Sequence, residues 1–358
     1  MKRFIRSIIW TVSLSVAVSC GGGGGDYLKP GATGKIGELL VIIDNAHWDS
    51  ELGETIRSIF QKPYPKLPQI ESSFTLLPLA NSSFLPIMQR HRNILLVKAS
   101  GDFPEAKLTI SRDLWAKPQI VLHAVGPDIH SVAKVLSEKQ DIMMKLYEQA
   151  ELDRQSESAR IYSDPEIHKA IEARFGISLD VTTGRSYHIM RNDPDFMWLE
   201  SQSNRNSLGI FIYTYPYVDS STFTVRYLVN KRDSILKEKV HGSRDSSWMT
   251  TTTNLTQELE YLMPELEIKK FRGLVYGELR GLWDLVNDYL AGPFVSRSYI
   301  DTAKNRIITV EGYVWAAGFS KRNLVREILG IINTFSVGGS KEFDTKEQSE
   351  RLDSINIT

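Results

Sequence analysis

Gln119-Ile120-Val121-Leu122-His123-Ala124-Val125, closed by Gly126-Pro127-Asp128, decides how the first half of this chain is read. Its apolar and β-branched run suits a strand, and the Gly-Pro pair ends it. Beyond the turn Ile129, Val132, Leu136, Met143, Leu146 and Ala150 recur at steps of three, four or their sum. That spacing puts them on one stripe of a long helix able to lie across a sheet. Residues 209–240 repeat the order: an apolar strand, a turn, and a helix that starts at Ser220 and runs to Gly242. Two such units raise a divergent duplication, with convergent strand and helix units as the plainer account.

Outward from this unit, residues 36–44 carry Leu39-Leu40-Val41-Ile42-Ile43, a run suited to a strand buried on both faces. Residues 49–60 place Leu52, Ile56 and Ile59 at helical spacing, and a loop with Pro63, Pro65 and Pro68 leads to strands at 74–79 and 93–99. Ser163-Asp164-Pro165-Glu166 opens a helix that Gly176 stops, before a strand at 177–181. Further strands are expected at 186–191, 197–201 and 209–217. After the Thr-rich loop 249–256 come a strand at 268–279, a short helix at 283–290, a hairpin of 294–301 with 306–315, and a helix at 321–335. The pattern predicts an α+β fold of mostly antiparallel sheets covered by amphipathic helices, two layers deep. Two domains are expected, 34–182 and 183–337.

The termini read differently. Lys2, Arg3 and Arg6 precede an apolar stretch at 8–18, the length of a signal h-region and too short for a membrane span. Cys20 follows Ala17, Val18 and Ser19 and is similar to the lipobox cysteine of bacterial lipoproteins; a plain secretory signal is the alternative. The likeness implies a signal peptide at 1–19, a diacylglyceryl anchor on Cys20 and a palmitate-type acyl chain on its amine. Gly21 to Gly25 begin a tether over 20–33, and the polar segment 338–358 reads as a disordered tail. Glycine after Cys20, with no acidic cluster behind it, resembles outer-membrane lipoproteins facing the periplasm.

The 358 residues balance 43 Lys+Arg against 43 Asp+Glu, which gives no drive toward nucleic acid. Loss of residues 1–19 removes three basic and no acidic residues and leaves a formal −3. Cys20 is the only cysteine, so the mature protein can form no internal disulfide, thiol nucleophile or Cys-ligated zinc site.

No Gly-x-Gly-x-x-Gly, Walker-type, Gly-x-Ser-x-Gly or His-Glu-x-x-His pattern occurs. No catalytic residue, cofactor or metal is assigned. Asp44-Asn45-Ala46-His47-Trp48-Asp49 follows the first strand, where His47 between carboxylates can serve as a general base or bind a metal, or Asp44 or Asp49 can simply cap a helix under a Trp48 staple. Among Glu166, His168 and Glu172, a His and a Glu stand at a helical step of four, a geometry that can hold a metal only with at least one more ligand from elsewhere and that otherwise reads as a solvated charged face; nothing gathers His123, His130 and His188. Phe211, Tyr213, Tyr215 and Tyr217 alternate, which suits a sugar-stacking ladder or a core face. Arg280-Gly281-Leu282-Trp283-Asp284, with Gly292-Pro293-Phe294 beyond, lets Gly281 and Gly292 bracket the short helix and offers a catalytic or ligand corner of Arg280, Trp283, Asp284 and Phe294, or an ion-paired structural corner.

The Cys20 lipobox, Gly34-Lys35-Ile36-Gly37-Glu38, His91-Arg92-Asn93-Ile94-Leu95, Gly281-Leu282-Trp283, Gly292-Pro293-Phe294-Val295-Ser296 and Lys321-Arg322 together resemble an uncharacterised family of Bacteroidetes lipoproteins catalogued only as a domain of unknown function. Ala291 departs from an expected glycine. The resemblance implies a cell-envelope protein and supplies no catalytic residue. The expectation is a non-catalytic binding or assembly role, with membrane contact through the lipid and an envelope protein or glycan as partner. The rivals are a glycan or peptide hydrolase using Asp44, Asp49, Asp284 or Asp288, and a small-ligand site between the domains.

Overall fold

The computed structural model describes residues 29–271 and 274–337. The signal segment, Cys20, the glycine run and the segment from 338 onward lie outside the described residues. The fold itself begins earlier than residue 34: Gly31 bridges to Lys117 and Thr33 to His91. The last residues assigned to the tether are therefore part of the first domain.

That domain runs β1 (Glu38–Ile42), α1 (Asn45–Trp48), α2 (Glu51–Phe60), β2 (Thr75–Leu79), α3 (Pro86–Gln89), β3 (Asn93–Ala99), β4 (Lys107–Arg112), β5 (Ile120–Gly126), α4 (Ile129–Glu138) and α5 (Gln140–Ile161). Its sheet has the order β2-β1-β3-β5-β4; β2, β1, β3 and β5 are parallel, and β4 alone is antiparallel. Parallel strands covered by crossover helices need apolar residues on both faces, which is what Leu39 to Ile43 supply. Asp128 caps α4 by accepting from the Ser131 amide. The single long helix expected from the stripe is instead broken at Lys139. The break re-aims the stripe, so that Val132 and Leu136 before it and Met143, Leu146 and Ala150 after it enter one core with Leu52, Ile56 and Ile59 of α2. Ser50, and neither Asp44 nor Asp49, caps α2.

The second domain comprises α6 (Pro165–Phe175), β6 (Ile177–Ser178), β7 (His188–Asn192), β8 (Phe196–Gln202), β9 (Ser207–Pro216), α7 (Val225–Lys239), β10 (Met249–Thr251), β11 (Glu265–Phe271), β12 (Leu274–Leu285), β13 (Ala291–Asp301), β14 (Arg306–Trp315), α8 (Arg322–Ile332) and β15 (Ser336–Val337). Asp164 caps α6 and Gly176, at φ 69°, stops it, as the sequence pattern requires. The large sheet, β10-β12-β13-β14-β9-β8-β7 with β11 also on β12, is antiparallel throughout and curls into a half barrel. Thus the molecule is α+β in two domains.

Three local expectations are corrected. Residues 268–279 form parts of two strands, β11 and β12. Thr224, with its side chain accepting from the Tyr227 amide, caps α7, whereas Ser220 lies in a preceding 3-10 turn. Residues 283–285 belong to β12, so no helix starts at Trp283. The second domain is also three layers deep: α6 and α8 cover one face of the sheet and α7 the other.

The domains are joined by the loop between α2 and β2. Tyr64 and Leu67 enter the second domain's core. Glu71 then caps α8, accepting from the Lys321 amide at 2.6 Å and the Arg322 amide at 3.1 Å. Arg326 is fully buried, donates to the Ser73 carbonyl at 2.7 Å and pairs with Glu148 of α5. Its guanidinium lies 5.1 Å from the Tyr64 ring and 4.8 Å from the Phe74 ring.

Candidate functional site

Side chains on the α7 face of the large sheet alternate with those buried under α8. Phe211, Tyr213 and Tyr215 of β9 all lie in the core under α7, so the aromatic ladder is a packing face, not an open sugar platform. Arg232 of α7 reaches down to this face. It donates to both Glu311 oxygens at 2.9 and 3.0 Å and to Thr251 Oγ1 at 2.9 Å, with Phe294 4.0 Å beneath the guanidinium.

Past the C-terminal end of α7 the same face is left open as a cleft of about 330 Å³. Trp198, Trp283, Tyr313 and Trp315 supply its aromatic walls, Glu200 its carboxylate, and His241 and Ser243 its mouth. Strand register places these residues. Glu200 of β8 stands opposite Gly209 of β9, and Gly209 opposite Tyr313 of β14. A Cβ at Gly209 would lie 1.9 Å from the Tyr313 ring, so only glycine lets that ring cross β9. The Tyr313 hydroxyl donates to Glu200 Oε1 at 2.8 Å and accepts from Trp198 Nε1 at 3.1 Å. Ser207 and Gln202 donate to the same carboxylate at 2.6 and 2.8 Å. Burial, reinforced by the Glu200 charge, holds the Tyr313 phenol well above its ordinary pKa, so it stays a donor. Glu200 is the sole carboxylate among the residues lining the cleft.

The corner expected at 280–294 is divided by strand alternation. Trp283 and Phe294 point into the core under α7, and Trp283 also walls the cleft, donating to the Val314 carbonyl at 3.3 Å. Arg280 and Asp284 belong to the opposite set of β12 positions. Arg280 pairs with Glu278 at 2.9 Å, and Asp284 accepts from Thr252 at 3.1 Å. Gly281 and Gly292 bracket no helix. A Cβ at Gly292 would lie 1.9 Å from the Val314 carbonyl, so its role is close strand approach.

His47 and Trp48 lie in the first domain, on the short helix α1, apart from the other candidates. Trp48 packs against that domain's core with Arg57 4.8 Å from its ring, and Asn81 occupies the Asp44 carboxylate at 2.9 Å. His168 faces Asp180 at 3.2 Å, His130 faces Glu51 at 3.5 Å and His123 meets Ser111 at 3.1 Å. Among the described residues no three acidic, His or Cys side chains are grouped to hold a metal.

Residues 164–334 match the family model described as Domain of unknown function (DUF4837), and residues 32–160 match Domain of unknown function (DUF8532). Each matched segment is thus similar to a family described as a domain of unknown function. No curated protein matches the chain. Among solved structures the chain is similar to a point mutant of Protein Mog1, at 9% identity and a TM-score of 0.30, over 46% of this chain and 92% of that one.

The aromatic cleft lies wholly within the DUF4837 match. A second cleft of about 340 Å³ sits near the junction of the DUF8532 and DUF4837 matches, between α5 and α8. Its Arg185 is held by both Glu327 oxygens, which neutralises the charge a ligand would meet there.

Sequence reasoning missed Trp198, Glu200, Tyr313 and Trp315. The signal available was the period-two pairing of Trp198 with Glu200 and of Tyr313 with Trp315 in two separate strands.

Proposed function

We propose that this is a lipid-anchored cell-envelope protein that binds an envelope glycan in the aromatic cleft of its second domain without cleaving it. The cleft itself carries the reading: three indoles and a phenol around one carboxylate, with serines beside them. Aromatic faces suit the C–H face of a sugar ring, and Glu200 and the serines suit its hydroxyls. Glycoside hydrolysis needs two carboxylates flanking one bond, and this cleft offers one, already accepting three hydrogen bonds. The anchor follows from the lipobox pattern at Cys20, and glycine after it favours the periplasmic face of an outer membrane.

The test is a titration of the purified lipoprotein with soluble peptidoglycan fragments, followed by tryptophan emission. Saturable quenching is expected, and Trp315→Ala should abolish it in a protein that still unfolds cooperatively. Absence of saturable binding to every fragment, with folding intact, would sink the glycan reading.

A further inference from the structure

Four apolar side chains stand in solvent on two segments of the first domain that meet through Phe84 and Trp115. Leu85 is 57% exposed, Ile87 61%, Met88 42% and Leu114 40%. The first three belong to α3 and its N-cap, and Leu114 to the loop before β5. Half-buried Phe84 and Trp115, edge to face at 5.5 Å, tie the two segments together against the face of the sheet opposite the helices. Gln119 locks the base of the patch, donating to the Gln89 and His91 carbonyls at 2.7 Å and accepting from the Trp115 amide at 3.0 Å. Single exposed apolar residues are ordinary, but four of them on two joined segments with a fixed support suit a contact surface.

The same spot is where the chain enters the fold. The Ala32 amide donates to the Lys117 carbonyl at 3.0 Å, the Lys117 amide to Pro30 at 2.9 Å and the Thr33 amide to Arg90 at 2.8 Å. Arg90 also donates to the Gly31 carbonyl at 3.1 Å. Pro30 follows Cys20 by ten positions, a span of at most about 35 Å even if fully extended.

We infer that Leu85, Ile87, Met88 and Leu114 form a membrane-docking surface that sits in the headgroup layer of the bilayer holding the Cys20 lipid. The inference rests on the lipid-anchored reading above. An anchor keeps this face, more than any other, near the lipid surface, and Lys117 and Arg90 flank it with positive charge suited to anionic headgroups. Asp113, the acidic residue of this rim, already accepts from the Gln119 amide at 2.7 Å. Burial of the four side chains adds to a lipid anchor and fixes the orientation of the first domain.

The test uses the lipidated full chain in vesicles of phosphatidylethanolamine and phosphatidylglycerol. Since Cys20 is the chain's only cysteine, Ile87→Cys gives a single free thiol for a polarity-sensitive dye, and Tyr289→Cys, at a site 85% exposed on the second domain, is the control. The Ile87 dye should shift to the blue and lose most of its emission when the lipids carry a headgroup-depth quencher, while the Tyr289 dye keeps its own. A lipidated, floating protein whose Ile87 dye behaves like the control overturns the docking surface and leaves the anchor standing. A protein with no lipid on Cys20 by mass spectrometry that fails to float overturns both.

Discussion

Tyr313 donates to Glu200 across Gly209, so the base of the aromatic cleft depends on one missing Cβ. Gly209→Ala forces the ring off its seat. The expected loss is about 1–3 kcal/mol of unfolding free energy, by analogy with overpacked cores. Tyr313→Phe keeps the ring and removes the donor to the carboxylate, for about 1.5–3 kcal/mol. Urea unfolding of both variants checks this, and a Gly209→Ala protein as stable as wild type contradicts the register given for β8, β9 and β14.

The fully buried pair of Arg232 and Glu311 makes a prediction about sign. Arg232→Leu leaves Glu311 buried without its partner and should lose about 3–5 kcal/mol. Adding Glu311→Leu should recover much of that loss, because two apolar residues no longer need desolvated charges. A double variant no more stable than the single one contradicts this account.

Acid sensitivity should centre on Glu278. Burial alone would raise its carboxyl, but Arg280, Arg297 and Lys269 outweigh burial and hold it well below the ordinary value of 4.5. A depressed folded pKa gives stability that is fully present above the unfolded pKa and lost as pH falls through the folded one. Stability should therefore decline below about pH 4.5, and Glu278→Gln should lower it at neutral pH and flatten that decline. Equal acid slopes in the two proteins, measured by chemical unfolding, count against the assignment.

Glu71→Ala should fray the start of α8 although it lies in the other domain. A lost N-cap amounts to about 0.5–2 kcal/mol. Faster amide exchange at Lys321 and Arg322, with α7 unchanged, is the expected pattern.

Much of the architecture was legible because its signals are local. The strands at 36–44, 93–99 and 119–125, the Asp164 and Gly176 helix limits and the hairpin 294–315 each carry their own turn chemistry or apolar run. The cleft was not legible for the opposite reason. Glu200 and Tyr313 meet across 113 residues, through a register that no short window contains. Trp283 reads as helical in sequence because Gly281 and Gly292 imitate helix boundaries, whereas both are there to let strands approach. Alternation then sends Arg280 and Asp284 away from Trp283, and the apparent cluster dissolves. The break at Lys139 was hidden because the apolar stripe continues on either side of it.

Glu71 capping a helix that begins 250 residues later has a consequence for recombination. A chimera that joins this first domain to a foreign second domain, or the reverse, inherits half a cap. It would also leave Arg326 in a socket lined by strangers. The two domains are separable on paper, but a working exchange has to carry the 61–73 loop together with α8 as a single cassette.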